Sequence, residues 1–272
     1  MAKAAEYTLP THRAHVMGIL NVTPDSFSDG GRHNEDQAAL THAAVMISEK
    51  ADILDIGAES TRPGSAPITL EDEWKRLAPA LEPVCDLGIP VSIDTYKAET
   101  ARRACRAGAV IVNDVWGLQR DPAMADTVAE AGVHVVMMHN RQAADGSINI
   151  MDDIDRFFER SLHLADKAGI PNGKQILDPG FGFGKTVDQN FVILNRFETL
   201  GKYGLPVLAG ASRKRMIGAI LNVETDDRLH GSLAVHMTAL LKGAAIVRAH
   251  DVGPHADCVR MLEATHLERT PD

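Results

Sequence analysis

The stretch Val91-Ser-Ile-Asp-Thr-Tyr-Lys-Ala-Glu-Thr-Ala-Arg-Arg-Ala-Cys-Arg-Ala-Gly-Ala-Val-Ile-Val-Asn113 contains one complete repeating unit of the chain. It opens with a short apolar run, Val91–Thr95, and continues into a helical candidate, Ala98–Ala107. After Gly108 it enters a second apolar run, Val110–Val115. A glycine there can take the left-handed conformation that ends a helix before the chain turns into a strand. The same succession recurs outward in both directions. Further apolar runs lie at His15–Val22, Ile53–Glu59, Val133–His139, Gln175–Pro179, Pro206–Ala211 and Ala245–His250. Further helical candidates are Glu35–Lys50, Leu70–Asp86, Pro122–Ala131, Ile154–Ala168, Asp188–Tyr203, Asp226–Lys242 and Pro254–Thr265, several followed by a glycine (Gly88, Gly132, Gly169, Gly204, Gly243).

The runs are brief and rich in β-branched residues, as strands buried on both faces are. Strands alternating with helices imply a parallel sheet. Eight such units in roughly 250 residues match a closed (β/α)8 TIM barrel, an α/β fold. The rival is an open doubly wound sheet, which usually carries its dinucleotide fingerprint after the first strand. Here that loop reads Asn21-Val-Thr-Pro-Asp-Ser-Phe-Ser-Asp-Gly-Gly31 and lacks the G-x-G-x-x-G spacing. No linker or low-complexity tract divides the chain, so 1–272 reads as a single domain.

Composition narrows the function classes. The 272 residues carry a formal net charge of −9 with only 4% aromatics, which argues against a nucleic-acid partner. No apolar run approaches the ~20 residues of a membrane span. Met1–Thr11 lacks the apolar stretch of a signal peptide. Cys85, Cys105 and Cys258 are scattered and odd in number, as in a reduced, cytoplasmic protein.

Each expected strand ends in residues foreign to an apolar core. They are Asn21; Glu59 with Thr61 and Arg62; Asp94; Asn113; His139; Asp178; Ser212 with Lys214; and Arg248 with His250. In a parallel barrel all these ends meet on the face where active sites are built. Any one alone could be a helix cap or a hydrogen-bonded loop residue. A carboxylate in low dielectric needs partners for its oxygens. For Asp94, Asn113 and Asp178, two partners are open. One is a planar heterocycle with an amino-pyrimidinone edge. The other is a barrel lysine or arginine in a salt bridge.

Arg62, Lys214, Arg248 and His250 would make a cationic rim on an acidic protein, suited to a phosphate-bearing ligand. Arg248 and His250 alternate on one strand and should point the same way. Asn21 is a candidate oxygen ligand for Mg2+, which favours few protein ligands plus substrate phosphates, or else a turn-former. Asp178-Pro-Gly-Phe-Gly-Phe-Gly-Lys-Thr186 misses the P-loop by one position, Pro179 standing where glycine is required. Its glycines fit a tight turn beside a ligand, or close packing. No H-E-x-x-H helix and no G-x-S-x-G elbow occurs, leaving a zinc hydrolase or a serine nucleophile without support.

Gly18-Ile-Leu-Asn-Val-Thr-Pro-Asp-Ser-Phe-Ser-Asp-Gly-Gly31 and Asp55-Ile-Gly-Ala-Glu-Ser-Thr-Arg-Pro-Gly64 resemble the two signature segments of the dihydropteroate synthase family. Ser92-Ile-Asp-Thr95, Val112-Asn-Asp114, Leu177-Asp-Pro-Gly-Phe-Gly-Phe-Gly-Lys185, Ser212-Arg-Lys214 and Arg248-Ala-His-Asp-Val252 follow in the family's order, so the resemblance spans about 14–266. It implies a (β/α)8 barrel of folate biosynthesis that joins dihydropterin pyrophosphate to 4-aminobenzoate with Mg2+, releasing pyrophosphate, acts as a homodimer and is inhibited by sulfonamides.

The resemblance also implies roles for residues. Asp94, Asn113, Met138, Asp178, Phe183 and Lys214 would bind the pterin. Asn21, Thr61, Arg62, Arg248 and His250 would hold pyrophosphate, with Asn21 also on the metal. Phe27, Thr61, Pro63, Phe183, Ser212 and Lys214 would shape the aminobenzoate pocket. Asp25, Phe27, Asp29 and Lys214 would act in catalysis, with the loops after the first two strands closing over the site. Two stretches depart from the family: Met138-His-Asn-Arg-Gln142 replaces the common Met-His-Met-x-Gly-x-Pro, and Arg248-Ala-His-Asp251 replaces Arg-Val-His-Asp. Two other functions share the pterin pocket: a methyltetrahydrofolate-dependent corrinoid methyltransferase and a non-catalytic pterin-binding paralogue.

Overall fold

A computed structural model of the chain describes residues 7–10, 13–22, 32–59 and 67–268, side chains of 32–36 apart. Eight strands are present: β1 (His15–Asn21), β2 (Ile53–Gly57), β3 (Val91–Asp94), β4 (Ile111–Asp114), β5 (His134–Met138), β6 (Gln175–Asp178), β7 (Leu208–Ala209) and β8 (Ile246–Ala249). Between and after them lie nine α-helices among the described residues: α1 (Arg32–Ser48), α2 (Leu70–Cys85), α3 (Ala98–Ala107), α4 (Met124–Ala131), α5 (Ile150–Ala168), α6 (Val187–Asn195), α7 (Arg215–Leu221), α8 (Leu229–Leu241) and α9 (Val252–Leu267).

All pairings are parallel, in the order β6-β5-β4-β3-β2-β1-β8-β7. A parallel bridge between Leu177 and Val207, with Leu177 N–H donating to Pro206 O at 3.0 Å, joins β6 to β7 and closes the barrel. Closure buries strand edges that would otherwise be open to pairing.

Period-two alternation sorts the side chains. Leu54, Ile56, Ile93, Val112, Val135, Leu177 and Val247 face outward and pack beneath the helices. Met17, Ile53, Ile111, Val136, Ile176, Leu208 and Ile246 face inward and fill the lower barrel as a separate apolar plug. Leu9 joins that plug, and Tyr7–Pro10 crosses the foot. Lys174 Nζ donates to Tyr7 O at 3.0 Å, and a 2.7 Å hydrogen bond links His15 Nε2 to Pro10 O.

Local chemistry explains the helix limits. Gly132 and Gly169 end α4 and α5 in the left-handed conformation. Helix α5 starts at Ile150, four residues ahead of the expected Ile154, because Asn149 caps it by accepting from Met151 N–H at 3.1 Å. The expected helix Asp188–Tyr203 stops at Asn195 and continues as a 3-10 turn over Phe197–Tyr203. Helix α7 stands where no helix was expected, in the segment joining β7 to α8.

Candidate active site

Directly above the apolar plug, the same inward-facing positions turn polar. Asp55 follows Ile53 by two residues, Asn113 follows Ile111, Asp178 follows Ile176, and Arg248 follows Ile246. Asp94 is registered beside Asn113. Alternation therefore places these side chains together inside the barrel, each on a rigid strand end. Arg248 Nε donates to Asp55 Oδ2 at 2.6 Å and Nη2 to Asp94 Oδ2 at 2.9 Å. Asn113 Nδ2 donates to the same Asp55 oxygen at 3.0 Å. Asp178 Oδ1 accepts from Gly180 N–H at 2.7 Å.

Acceptors remain in excess. Asp55 Oδ1, Asp94 Oδ1 and Asn113 Oδ1 are buried without a hydrogen-bond partner among the described residues, as is Ser92 Oγ. A buried oxygen left unsatisfied costs free energy, so this ring is suited to a ligand that presents N–H donors. Two glycines leave room for one. A Cβ on Gly210 would lie 3.6 Å from Asp178 Oδ2, and one on Gly57 would lie 3.2 Å from Asp94 Cβ.

Burial dominates the electrostatics. It pushes Asp94 up to about 7 against the nearby charge of Arg248, and pushes Asp178 up to about 6 against the Gly180 hydrogen bond and Lys185. Burial also opposes the Arg248 charge, but Asp55 and Asp94 outweigh it and hold the guanidinium above its ordinary value. Asp94 has therefore found the salt-bridge partner that its position allowed, and the partner is Arg248.

The glycine-rich loop after β6 forms one wall. Lys185 is buried, and its Nζ donates to the carbonyls of Gly180 at 2.6 Å, Phe183 at 3.0 Å and His139 at 3.3 Å. A lysine so occupied organises its own loop. Gly180 has φ +68°, and a Cβ there would meet His139 O at 2.0 Å, so close packing is one reason for the glycines. The loop carries Phe183, over whose ring Lys214 Nζ sits at 4.1 Å from the centroid. Lys214 also lowers the pKa of both Asp94 and Asp178, so its charge is felt on both sides of the pocket. Met138 is buried at the end of β5, paired in register with Asp178.

A cleft of about 400 Å³ opens beside this pocket, lined by Asn21, His42, Glu49, Arg213, His250 and Asp251 among others. Ser212 joins it to the pocket: its Oγ accepts from His250 N–H at 3.2 Å and lies 3.0 Å from His250 Nδ1. Arg213 binds Asp251 through Nη2 at 2.6 Å and Nε at 3.1 Å. Asn21 offers an amide oxygen here, and no group of three or more His, Cys, Asp or Glu gathers among the described residues. An amide oxygen is a hard donor of the kind that suits a magnesium held chiefly by phosphate oxygens and water.

Strand β8 ends at Ala249, so His250 lies just beyond the strand that carries Arg248, and the two do not form one free cationic rim. Arg248 is already paired with Asp55 and Asp94 inside the barrel. His250 is pushed down to about 3 by burial and by Arg248 and Arg213, so it is neutral at physiological pH. Lys214 and Arg213 are partly exposed. Asp25, Phe27, Asp29, Thr61, Arg62 and Pro63 lie outside the described residues. Glu59, at the edge of the second loop, is engaged by Tyr96 Oη at 2.7 Å and by Lys97. His139 lies 3.2 Å from Asp153 and is held neutral, down at about 3, chiefly by burial. At the departure from the family pattern, Arg141 reaches Asp153 at 2.8 Å and packs under Gly184, which anchors the altered loop.

Asp55 and Arg213 escaped the sequence reading as site residues. A carboxylate in the apolar run Ile53-Leu-Asp-Ile-Gly57 was the available signal for Asp55. Arg213 stands inside the family-like segment Ser212-Arg-Lys214, which gave it no role of its own.

The sequence profile of the family described as pterin binding enzyme matches residues 17–250. The dihydropteroate synthase of Bacillus subtilis is 44% identical over 250 residues, covering 92% of this chain and 87% of its own. A Xanthomonas albilineans dihydropteroate synthase solved with 4-aminobenzoic acid superposes with a TM-score of 0.91 at 41% identity, covering 94% of each chain. The same enzyme in complex with 7,8-dihydropteroate gives 0.89 at 39% identity, over 97% of each chain.

Proposed function

From the premise that the chain belongs to the pterin-binding enzyme family, as one of its dihydropteroate synthases, we infer how its site performs the condensation. The reaction joins 6-hydroxymethyl-7,8-dihydropterin pyrophosphate to 4-aminobenzoate and yields 7,8-dihydropteroate and pyrophosphate. The observation that carries this reading is the ring of buried acceptors on Asp94, Asn113 and Asp55 above the apolar plug, unpartnered among the described residues. The amino-pyrimidinone edge of a pterin presents N–H donors suited to those oxygens, with Asp178 at the end of β6. Met138 and Phe183 supply apolar surface for the ring faces, and Lys214 spans from Phe183 toward the carboxylates.

The pyrophosphate extends into the cleft of Asn21, Arg213 and His250, with Arg248 at its inner end and Thr61 and Arg62 contributed by the second loop. Magnesium held there by Asn21 and the substrate's own phosphates would neutralise charge on the departing oxygens. The methylene C–O bond breaks, the electron pair leaves on pyrophosphate, and the electron-rich pterin stabilises the resulting cation. The amine of 4-aminobenzoate then forms the C–N bond and releases a proton. Ser212, Lys214 and Phe183, with Phe27, Thr61 and Pro63, shape the aminobenzoate site. By the family resemblance, Asp25 and Asp29 would act in catalysis by stabilising the cation, from which water must be excluded.

The family reading extends to a cytoplasmic homodimer. Among the described residues no helix is long and apolar enough to cross a membrane. Leu241 and Met261 are exposed on α8 and α9, apolar faces of the kind that pair in dimers. Incubation with dihydropterin pyrophosphate, 4-aminobenzoate and Mg2+ tests the activity through pyrophosphate release that depends on the amine. Methyl transfer from methyltetrahydrofolate to a corrinoid, without pyrophosphate, would replace this reading. Pterin binding without turnover would leave a non-catalytic relative.

A further inference from the structure

Arg228, Ser232 and His236 recur every fourth residue along α8 and its cap, and so form one stripe. All three touch the turn that follows β7. Arg228 Nη1 donates to Arg213 O at 3.1 Å. Arg213 N–H donates to Ser232 Oγ at 2.9 Å, and Ala211 N–H donates to His236 Nε2 at 3.0 Å. The turn needs such support, because Arg213 has φ +55°, a strained conformation for a residue with a side chain.

The stripe continues into α9. His236 Nδ1 lies 2.9 Å from His255 Nε2, and His255 Nδ1 lies 2.6 Å from Asp251 O. Both rings are fully buried. Their tautomers follow from the partners. Ala211 N–H can only donate, so His236 Nε2 accepts and its proton is on Nδ1. That proton points to His255 Nε2, which accepts, and the His255 proton on Nδ1 is donated to Asp251 O. A second proton on either ring would face another N–H. Burial lowers the pKa of both, with His250 and His255 the titratable groups that face His236 and with Asp251 facing His255, consistent with two neutral rings. The chain closes on itself, since the Asp251 carboxylate binds Arg213.

We propose that His236 and His255 are positioning residues that lock the Ala211–Lys214 turn to the start of α9, fixing Ser212, Arg213 and His250 around the anion cleft. The proposal rests on the anion-binding reading of that cleft. Neither histidine touches the ligand. Each acts through backbone groups from which the lining residues project.

Two measurements test it. In 15N-histidine-labelled protein at pH 7, long-range 1H–15N correlation should show both rings neutral with Nδ1–H; an Nε2–H tautomer or a charged ring would overturn the chain. Calorimetry with inorganic pyrophosphate and Mg2+ gives the second readout. His236→Phe should weaken binding about tenfold, the order expected when a buried N–H loses its acceptor. His236→Gln places an amide oxygen near the Nε2 position and should restore affinity to within about threefold. Equal affinity in all three proteins, or no pyrophosphate binding by the unaltered protein, would overturn the proposal. If His236→Phe does not fold, His255→Asn removes the acceptor for His236 and should show the same loss. An unaltered protein that binds pyrophosphate with these tautomers but forms no dihydropteroate would refute the proposed reaction and leave the positioning role standing.

Discussion

Arg248 Nη2 donates to Asp94 Oδ2 at 2.9 Å, while Nε of the same guanidinium holds Asp55 at 2.6 Å. One cation thus ties the ends of β2, β3 and β8 together inside the barrel. Removing it would leave two buried carboxylates unpaired, a change that costs about 3–5 kcal/mol. Arg248→Ala should therefore lower the melting temperature by roughly 6–20 °C, at about 2–4 °C per kcal/mol for a domain of this size. Affinity for pyrophosphate-free pterin should fall alongside that for the pyrophosphate-bearing substrate, since the same residue holds the pterin-facing carboxylate. Selective loss of the pyrophosphate-bearing ligand, with the melting point unchanged, would return Arg248 to a purely phosphate-binding role.

The carboxylates make pterin binding pH-dependent. Asp94 at about 7 and Asp178 at about 6 both lie above the ordinary 3.8 because burial disfavours their charge. With native pKa values raised, the folded protein retains protons that the unfolded chain has already released. Their contribution to stability is thus present at low pH and is lost as pH rises through about 6 to 7. Binding has the opposite slope, because accepting N–H bonds requires the ionised form. Pterin affinity measured by calorimetry should strengthen up to about tenfold per unit for each carboxylate below its pKa, then level off above pH 7 or so. Affinity that weakens with rising pH over this range would mean that the protonated acids bind the ring.

His250 contributes a neutral imidazole, held down at about 3 by burial and by Arg248 and Arg213. An arriving pyrophosphate should reverse part of that shift by bringing negative charge to the cleft. Side-chain NMR titration should show the His250 pKa rising on addition of inorganic pyrophosphate. An unmoved pKa would place the anion elsewhere.

The glycines should separate into two classes. Gly180 has φ +68° and would drive a Cβ to 2.0 Å from His139 O, whereas Gly132 has φ +65° with no atom of the described residues within 4 Å of its Cβ position. Gly132→Ala should cost about 1–2 kcal/mol, the left-handed strain alone. Gly180→Ala must also shift the loop that carries Phe183 and Lys185, so urea denaturation should show a clearly larger loss. Pterin affinity should fall with it, while Gly132→Ala leaves affinity intact. Equal costs would mean that the β6 loop yields freely.

The barrel was legible because its signal is periodic and local. A short apolar run, a polar end, a helix and a glycine announce each unit, as Val91–Asn113 shows. Asp94, Asn113 and Asp178 were legible as pocket residues because charge or amide at the end of an apolar run is costly without a partner. What the sequence concealed depends on distance. Asp55 matters through Arg248, 193 residues away, and the neutrality of His250 follows from burial that only the closed barrel creates. His236 and His255 read singly as helix residues, and only the packing of α8 against α9 makes them a pair. Helix α7 is too short for its period to register.

Product stoichiometry tests the central claim most directly. Purified protein with dihydropterin pyrophosphate, radiolabelled 4-aminobenzoate and Mg2+ should form labelled dihydropteroate and pyrophosphate in equal amounts, and neither when the amine is omitted. Pyrophosphate released at the same rate without the amine, or no labelled product at all, would contradict the assignment.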